Sequence, residues 1–406
     1  MKPLLSPSKL GTSLSQSLTI FLCIVLSPSG LAQGFVPGEI YFDSTGFVEY
    51  RAGNLPIIIS APHGGNWRPD SIPDRNCSGC SYGIDSYTRV ISWGMYDAFV
   101  EQTGCYPHLI MNRLHRIKFD ANRDIGDAAD GNLLVEQAWQ NYHAFIDSAK
   151  AKLTADFGRG LFLDIHGHAH TIQRIELGYL LSRAELQMPD SSLNSIDLIA
   201  ESSIRSLSGD NIQAFSHAQL LRGVESLGSL LDLQGFPSVP SFTDPHPNGN
   251  EAYFSGGYNT VRHGSRDNGG SIDAIQIELN QSIRFDDSTR AVLIDSLTAS
   301  ALAYYSLHYD SLFVGNFCNQ VSSIPQHQLT KANIALYPNP TFDSFTLGGD
   351  WSAVELQLFN SIGQILLRQR VSSGDPINIS SLESGYYTVQ IRQRNQSLGF
   401  AKLVKI

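Results

Sequence analysis

The stretch Gly160-Leu-Phe-Leu-Asp-Ile-His-Gly-His-Ala-His170 constrains the chain most. The apolar run Leu161 to Ile165 has the length of a buried strand. It ends in Asp164, His166, His168 and His170, three of the chain's 12 histidines. Side chains alternate between faces along a strand, so the three imidazoles are expected to share one face. A polar strand end with solvated histidines is one reading. A metal or catalytic site at the C-terminal end of a strand is the other, since open α/β sheets bind ligands there.

Two more strand-like runs deliver chemistry in the same way. Leu55-Pro-Ile-Ile-Ile-Ser60 leads into Ala61-Pro62-His63-Gly64-Gly65, where the glycines allow backbone to approach a ligand. In Ala274-Ile-Gln-Ile-Glu278-Leu-Asn280, Ile275, Ile277 and Leu279 alternate with Gln276, Glu278 and Asn280. Between these runs lie helical patterns at Ile84–Thr103, Leu133–Phe157 and Ser195–Leu207, a strand candidate at His108–Asn112, another at Glu176–Leu181, and a closing helix at Thr289–Tyr309. Strands alternating with helices imply a layered α/β sheet. The segment Phe236 to Gly270 is rich in Gly, Pro, Asn and aromatics, and long irregular segments of this kind are usually functional. Asp85 opens the first helix, as a cap or as a group turned into a site.

Arg113-Leu-His-Arg116-Ile-Lys-Phe-Asp120-Ala-Asn122-Arg123-Asp124 is too charged for a core. A solvated loop is one reading; arginines that grip carboxylates as forks are the other. Two imidazoles and a carboxylate meet what zinc requires while leaving a position open. His63, Asp85 and His166 are the candidate ligands, and Glu278 is the candidate general base. Arg113, Arg116 and Arg123 are donors for an oxyanion or a substrate carboxylate. Asp164 lies two residues from His166 and is placed to orient its ring.

Composition excludes one class. The formal charge of -10, with no Lys/Arg cluster, argues against nucleic acid. Met1 to Ala32 reads as a signal peptide, with Lys2 and Lys9 ahead of the apolar Leu18–Leu26 and small residues at Gly30-Leu31-Ala32. No stretch is long enough for a transmembrane anchor. Without the signal, Cys77, Cys80, Cys105 and Cys318 remain, an even number that suits structural disulfides in an exported chain. After a polar stretch, 312–332, the character changes to short alternating strands, the pattern of a small all-β sandwich, and no histidine lies in it.

Four pieces resemble the N-formylglutamate amidohydrolases, distant relatives of the zinc carboxypeptidases: Ser60-Ala-Pro-His63-Gly-Gly, Asp120-Ala-Asn122-Arg123, Leu163-Asp-Ile-His166-Gly-His and Gln276-Ile-Glu278-Leu. They stand in family order over roughly residues 50 to 310. The resemblance implies a three-layer, mixed-sheet α/β hydrolase domain with one Zn2+. His63 and His166 are then ligands, with Asp85 chosen as the acid over its rivals Asp70 and Asp74. In zinc carboxypeptidases the acid follows the first histidine within a helical turn; here Asn66 occupies that position. Asn122 and Arg123 are implied to hold the substrate's carboxylate, Arg116 or Arg113 to polarise the scissile carbonyl, and Glu278 to activate water. Tyr258 and His263 are further candidate substrate contacts.

The last part, from Leu336-Tyr-Pro-Asn-Pro340 through Leu382-Glu-Ser-Gly-Tyr-Tyr387 to Lys402-Leu-Val-Lys-Ile406, resembles the type IX secretion sorting domain of Bacteroidetes. It implies type IX machinery as a partner and a secreted or surface-attached product that has crossed the periplasm. The expected organisation is therefore signal peptide 1–32, catalytic domain 33–311, linker 312–332 and sorting domain 333–406. The expected substrate is a small molecule or peptide bearing a carboxylate. N-formylglutamate itself arises in cytoplasmic histidine breakdown, so an extracellular acyl-amino acid, peptide or cell-wall fragment suits an exported chain better. Metal-free ester hydrolysis on the same fold, or a surface binding protein with a degenerate site, are the alternatives.

Overall fold

The computed structural model describes residues 34–266, 270–310, 334–349, 351–360, 365–393 and 396–405. The expected signal peptide and linker lie outside them.

Eight strands form one mixed sheet: β1 (Ile40–Phe42), β2 (Val48–Arg51), β3 (Ile57–Ala61), β4 (His108–Asn112), β5 (Gly160–Gly167), β6 (Ile175–Gly178), β7 (Ser238–Val239) and β8 (Ile272–Leu279). Their order is β1-β2-β4-β3-β5-β8-β6-β7. The centre, β4-β3-β5-β8, is parallel, whereas β6 runs antiparallel to β8. Parallel strands are covered on both faces, which is why β3, β4 and β8 are buried throughout.

Alternation sorts the two faces. Ile57, Ile59, Leu161, Leu163, Ile165, Ile275 and Ile277 pack with Ile91, Met95 and Phe99 of helix Thr88–Thr103, and with Leu293 and Leu297 of helix Asp287–His308. Ser60, Asp164, His166, Gln276 and Glu278 consequently belong to the opposite face. There helix Leu133–Phe157 packs across β2 to β5. Asn132 caps that helix by accepting from Leu134 N and Val135 N, and Gly158 at φ 77 closes it. Only glycine takes that conformation without strain.

Three expectations are corrected. The helix read over Ser195–Leu207 is two, Ile196–Glu201 and Arg205–Gly209. Ser203 breaks it: its backbone pairs with Tyr179 and Ala274, and its hydroxyl donates to Ala274 O. The strand read to Leu181 stops at Gly178, since Leu180 turns at φ 67. Strand β5 ends at Gly167, so His168 and His170 do not continue the alternation of His166.

The C-terminal part forms two antiparallel sheets. One has order β13-β10-β9, with β9 (Ala335–Tyr337), β10 (Ser344–Gly348) and β13 (Ile377–Asn378). The other has order β12-β11-β14-β15, with β11 (Val354–Phe359), β12 (Ile365–Val371), β14 (Gly385–Gln393) and β15 (Gln396–Lys405). They share an apolar core that includes Leu336, Phe345, Leu347, Leu356, Leu358, Val389, Ile391 and Leu403.

Candidate metal centre

Three segments converge at the C-terminal ends of β3 and β5. His63 lies just past β3, and His166 is the penultimate residue of β5. Asp85 precedes helix Thr88–Thr103, but its carboxylate does not cap that helix. Its backbone is tied to His63, Asp85 N donating to His63 O, and its Oδ2 accepts from Gly167 N at 3.2 Å.

The His63 and His166 Nδ1 atoms stand 3.2 Å apart. Asp85 Oδ2 is 3.2 Å from the first and 3.3 Å from the second. A tetrahedral ion with arms of about 2.1 Å has ligand–ligand edges of about 3.4 Å. The triangle matches one face of such a polyhedron.

What lies behind the triangle fixes its chemistry. His63 Nε2 is 2.6 Å from Asp120 Oδ1, and His166 Nε2 is 2.8 Å from Asp164 Oδ2. Each Nε2–H donating to a carboxylate leaves the neutral ring's Nδ1 lone pair facing inward. Two lone pairs and a carboxylate at such separations could hold a metal ion. Burial opposes the charge on His166, but Asp164 outweighs it and holds the imidazolium well above its ordinary range. Burial likewise opposes ionisation of Asp85 and Asp120, and the facing His63 overrides it, so both carboxyls are held low.

Asp164 is wholly buried, and accepts from the Ser60 hydroxyl and Asn259 Nδ2 as well as from His166. Asp120 also takes Arg116 Nε at 2.8 Å and Asn122 N at 3.1 Å. Arg116 Nη1 comes to 3.9 Å from Asp85 Oδ1. Buried Arg75 stands 3.7 Å from Asp120 and donates to the carbonyls of Arg116, Asp127 and Ser81. It thereby holds the loop closed by the Cys77–Cys80 disulfide, its Nη1 lying 3.1 Å from Cys80 Sγ. Cys105, also disulfide-bonded, is buried at the sheet.

Glu278 is the register neighbour of His166 on β8. Burial raises its carboxyl to about 8 against the attraction of His166, with the Asp85 charge adding to the rise. Gln276 donates to Glu278 Oε1 at 2.9 Å. Asn122, whose N–H donates to Asp120, accepts from Asn259 N at its Oδ1. Gly257 rests on it, for a Cβ there would come within 2.5 Å of Asn122 Nδ2. Arg123 is half-buried and bonds to the Asn122 carbonyl.

The remaining candidates separate. Arg113 is not with the site carboxylates: its guanidinium donates to Gly46 O and lies over Phe42 and Trp67. His263 is a core residue, bonded to His143 at 2.9 Å beneath helix Leu133–Phe157. Tyr258 is half-buried and packs against Trp139 and His143. Of Asp85's rivals, Asp74 pairs with Lys118 and Asp70 is exposed. Arg75, Arg284 and Asp120 carry no local sequence signal of their roles, although Asp120 opens the stretch Asp120-Ala-Asn122-Arg123.

His168, His170 and Glu176 form a second group of metal-ligating side chains. It is closed on itself. His168 donates Nε2–H to Arg174 O and accepts His170 N–H at Nδ1. Glu176 takes His170 Nδ1 on one oxygen and Phe254 N on the other.

The architecture is a mixed-sheet α/β domain, with two histidines, one aspartate and a neighbouring glutamate gathered at strand ends, followed by a β-sandwich. Residues 335–405 match the secretion system C-terminal sorting domain. That match marks the chain for export by the type IX machinery, to a secreted or cell-surface destination. Among described residues no helix is long and apolar enough to cross a membrane. The chain is 29% identical over 103 residues to the ulvan lyase NLR42 of Nonlabens ulvanivorans, spanning 25% of this chain and only 19% of that protein.

Among solved structures, it resembles N-formylglutamate amidohydrolase from Ralstonia eutropha JMP134 at 14% identity and TM-score 0.38, covering 67% of this chain and 98% of that one. The tripeptide-bound cell shape determinant Csd4 of Helicobacter pylori is similar at 10% identity and TM-score 0.24, over 86% and 95%. Likenesses this distant assign no activity here.

Proposed function

We propose that the chain is an exported, zinc-dependent hydrolase that cleaves the amide bond of an N-acyl amino acid or small peptide beside a carboxylate. The observation that carries this reading is the triangle of His63 Nδ1, His166 Nδ1 and Asp85 Oδ2, with edges of 3.2 to 3.3 Å. Both far ring nitrogens are anchored on carboxylates, as metal-bound histidines usually are. The N/O donor set suits Zn2+.

His63, Asp85 and His166 would hold the ion, which when bound lowers the pKa of water towards neutrality and polarises a carbonyl. Glu278, buried beside His166, is the base that takes the water's proton. The Glu278 carboxyl, raised by burial to about 8, would be favoured as the anion with a cation bound beside it. Gln276 fixes one Glu278 oxygen and leaves the other for the proton. Arg116, already oriented by Asp120, is the donor for the oxygen on which charge develops. Asn122 and Arg123 take the substrate's carboxylate, with Tyr258 as a further contact. Residues 33–311 are the catalytic unit, 312–332 the linker and 333–406 the sorting unit.

Metal analysis of the purified chain tests this, with His166→Ala and Glu278→Gln beside it. One equivalent of zinc in wild type, lost in His166→Ala, is expected. Glu278→Gln should retain zinc while turnover of a panel of N-acyl amino acids and peptides falls by about 10²–10⁴-fold. A metal-free protein that still hydrolyses the panel would sink the reading.

A further inference from the structure

We infer that Arg284 is the positioning residue on which the shape of the candidate metal centre depends; the inference rests on that centre taking a cation. Arg284 is 3% exposed and sits in helix Gln281–Phe285, the turn after β8. Its guanidinium makes three hydrogen bonds to backbone carbonyls: Nε to Leu279 O at 2.9 Å, Nη1 to Ser86 O at 2.8 Å and Nη2 to His168 O at 2.9 Å. Each carbonyl is one or two residues from a site residue: Leu279 follows Glu278, Ser86 follows Asp85, and His168 is two beyond His166. One planar fork thus ties together the three chain segments that carry an acid ligand, a histidine ligand and the base. A lysine offers a single point of donation and cannot span them.

Gly167 makes room for this fork. A Cβ there would come within 2.4 Å of the Arg284 Cζ and Nε, and Gly167 N donates to Asp85 Oδ2. The Asp85 loop is braced from the same helix and from helix Asp287–His308 after it. Tyr87 adopts φ 70, a conformation bulky side chains avoid, with its ring against Phe285 and the Arg290 guanidinium above it. Such a backbone persists only where its surroundings hold it.

The test uses Co2+ with the full chain, measured by chelator competition and by the visible spectrum of the loaded protein. Arg284→Lys should weaken cobalt binding by about 10–100-fold, as loss of outer-sphere supports does, and shift its absorption bands. Gly167→Ala, whose methyl displaces the guanidinium, should do the same. In an Arg284→Ala background Gly167→Ala should add nothing further, a coupling that general loss of stability does not produce. Circular dichroism of the cation-free variants reports whether each is folded; Arg284→Lys and Gly167→Ala keep the test alive if Arg284→Ala is not. Wild-type affinity and spectrum in Arg284→Lys and Gly167→Ala overturn the inference alone, as do additive effects in the double variant. A wild-type chain that binds no cobalt overturns the metal reading with it.

Discussion

At the scale of single residues, the histidines and glutamate were legible because each closes an apolar run, a pattern local in sequence. Their supports were not. Asp120 is 57 positions from the His63 it orients, and Arg284 is 198 from Ser86. No period or propensity encodes contacts of that reach. The same difference explains Arg113 and His263: both are residue types that sites use, yet one is spent on a surface carbonyl and aromatic rings, the other on a buried imidazole pair. The supports carry their own prediction. Asp120→Asn keeps the size of the side chain but removes the charge that steadies His63. Zinc affinity should fall by about 10–100-fold, read by chelator competition, with the far-UV spectrum unchanged. An unchanged affinity would assign Asp120 to loop structure alone.

At the scale of elements, strands β3, β4 and β8 and helix Leu133–Phe157 follow the sequence pattern closely, because burial on both faces or one amphipathic stripe writes a strong period. The helical pattern at Ser195–Leu207 breaks where the Ser203 backbone pairs with Tyr179 and Ala274, which overrides local propensity. One joint between elements predicts a pH effect. Asp273, near the start of β8, receives Leu207 N, the Ser265 hydroxyl and the Tyr309 hydroxyl. Burial raises its carboxyl from 3.8 to about 7 in the fold, against those hydrogen bonds. A raised acid binds its proton more tightly folded than unfolded, so its contribution is complete below pH ~4 and fades as pH rises to about 7. The loss is on the order of a few kcal/mol. Asp273→Asn mimics the protonated acid: its amide oxygen can accept, its amide nitrogen can donate to Tyr309. Urea unfolding of the cation-free protein at pH 4.5 and 7.5 should show a smaller decline in the variant. An identical decline in both would place the pH dependence elsewhere.

At the scale of the whole molecule, among the described residues one apolar cluster lies against the eight-stranded sheet and another between the C-terminal sheets. The triangle of His63, Asp85 and His166 stands at strand ends of the eight-stranded sheet. A ligand that binds the native state alone stabilises it by RT ln(1 + [L]/Kd), about 4 kcal/mol at a thousandfold excess over Kd. For a domain above 200 residues each kcal/mol shifts the melting temperature by roughly 2–4 °C. Calorimetry of the exported chain should accordingly resolve two transitions. Chelation should lower the larger one by roughly 10 °C and leave the smaller in place. In a variant truncated after residue 332, the smaller transition should vanish while the metal-sensitive one persists. A single transition that moves as a unit with chelator would mean that the C-terminal sandwich and the eight-stranded-sheet domain draw on one cooperative core. The proposed division of labour, address in one domain and chemistry in the other, would then not extend to stability.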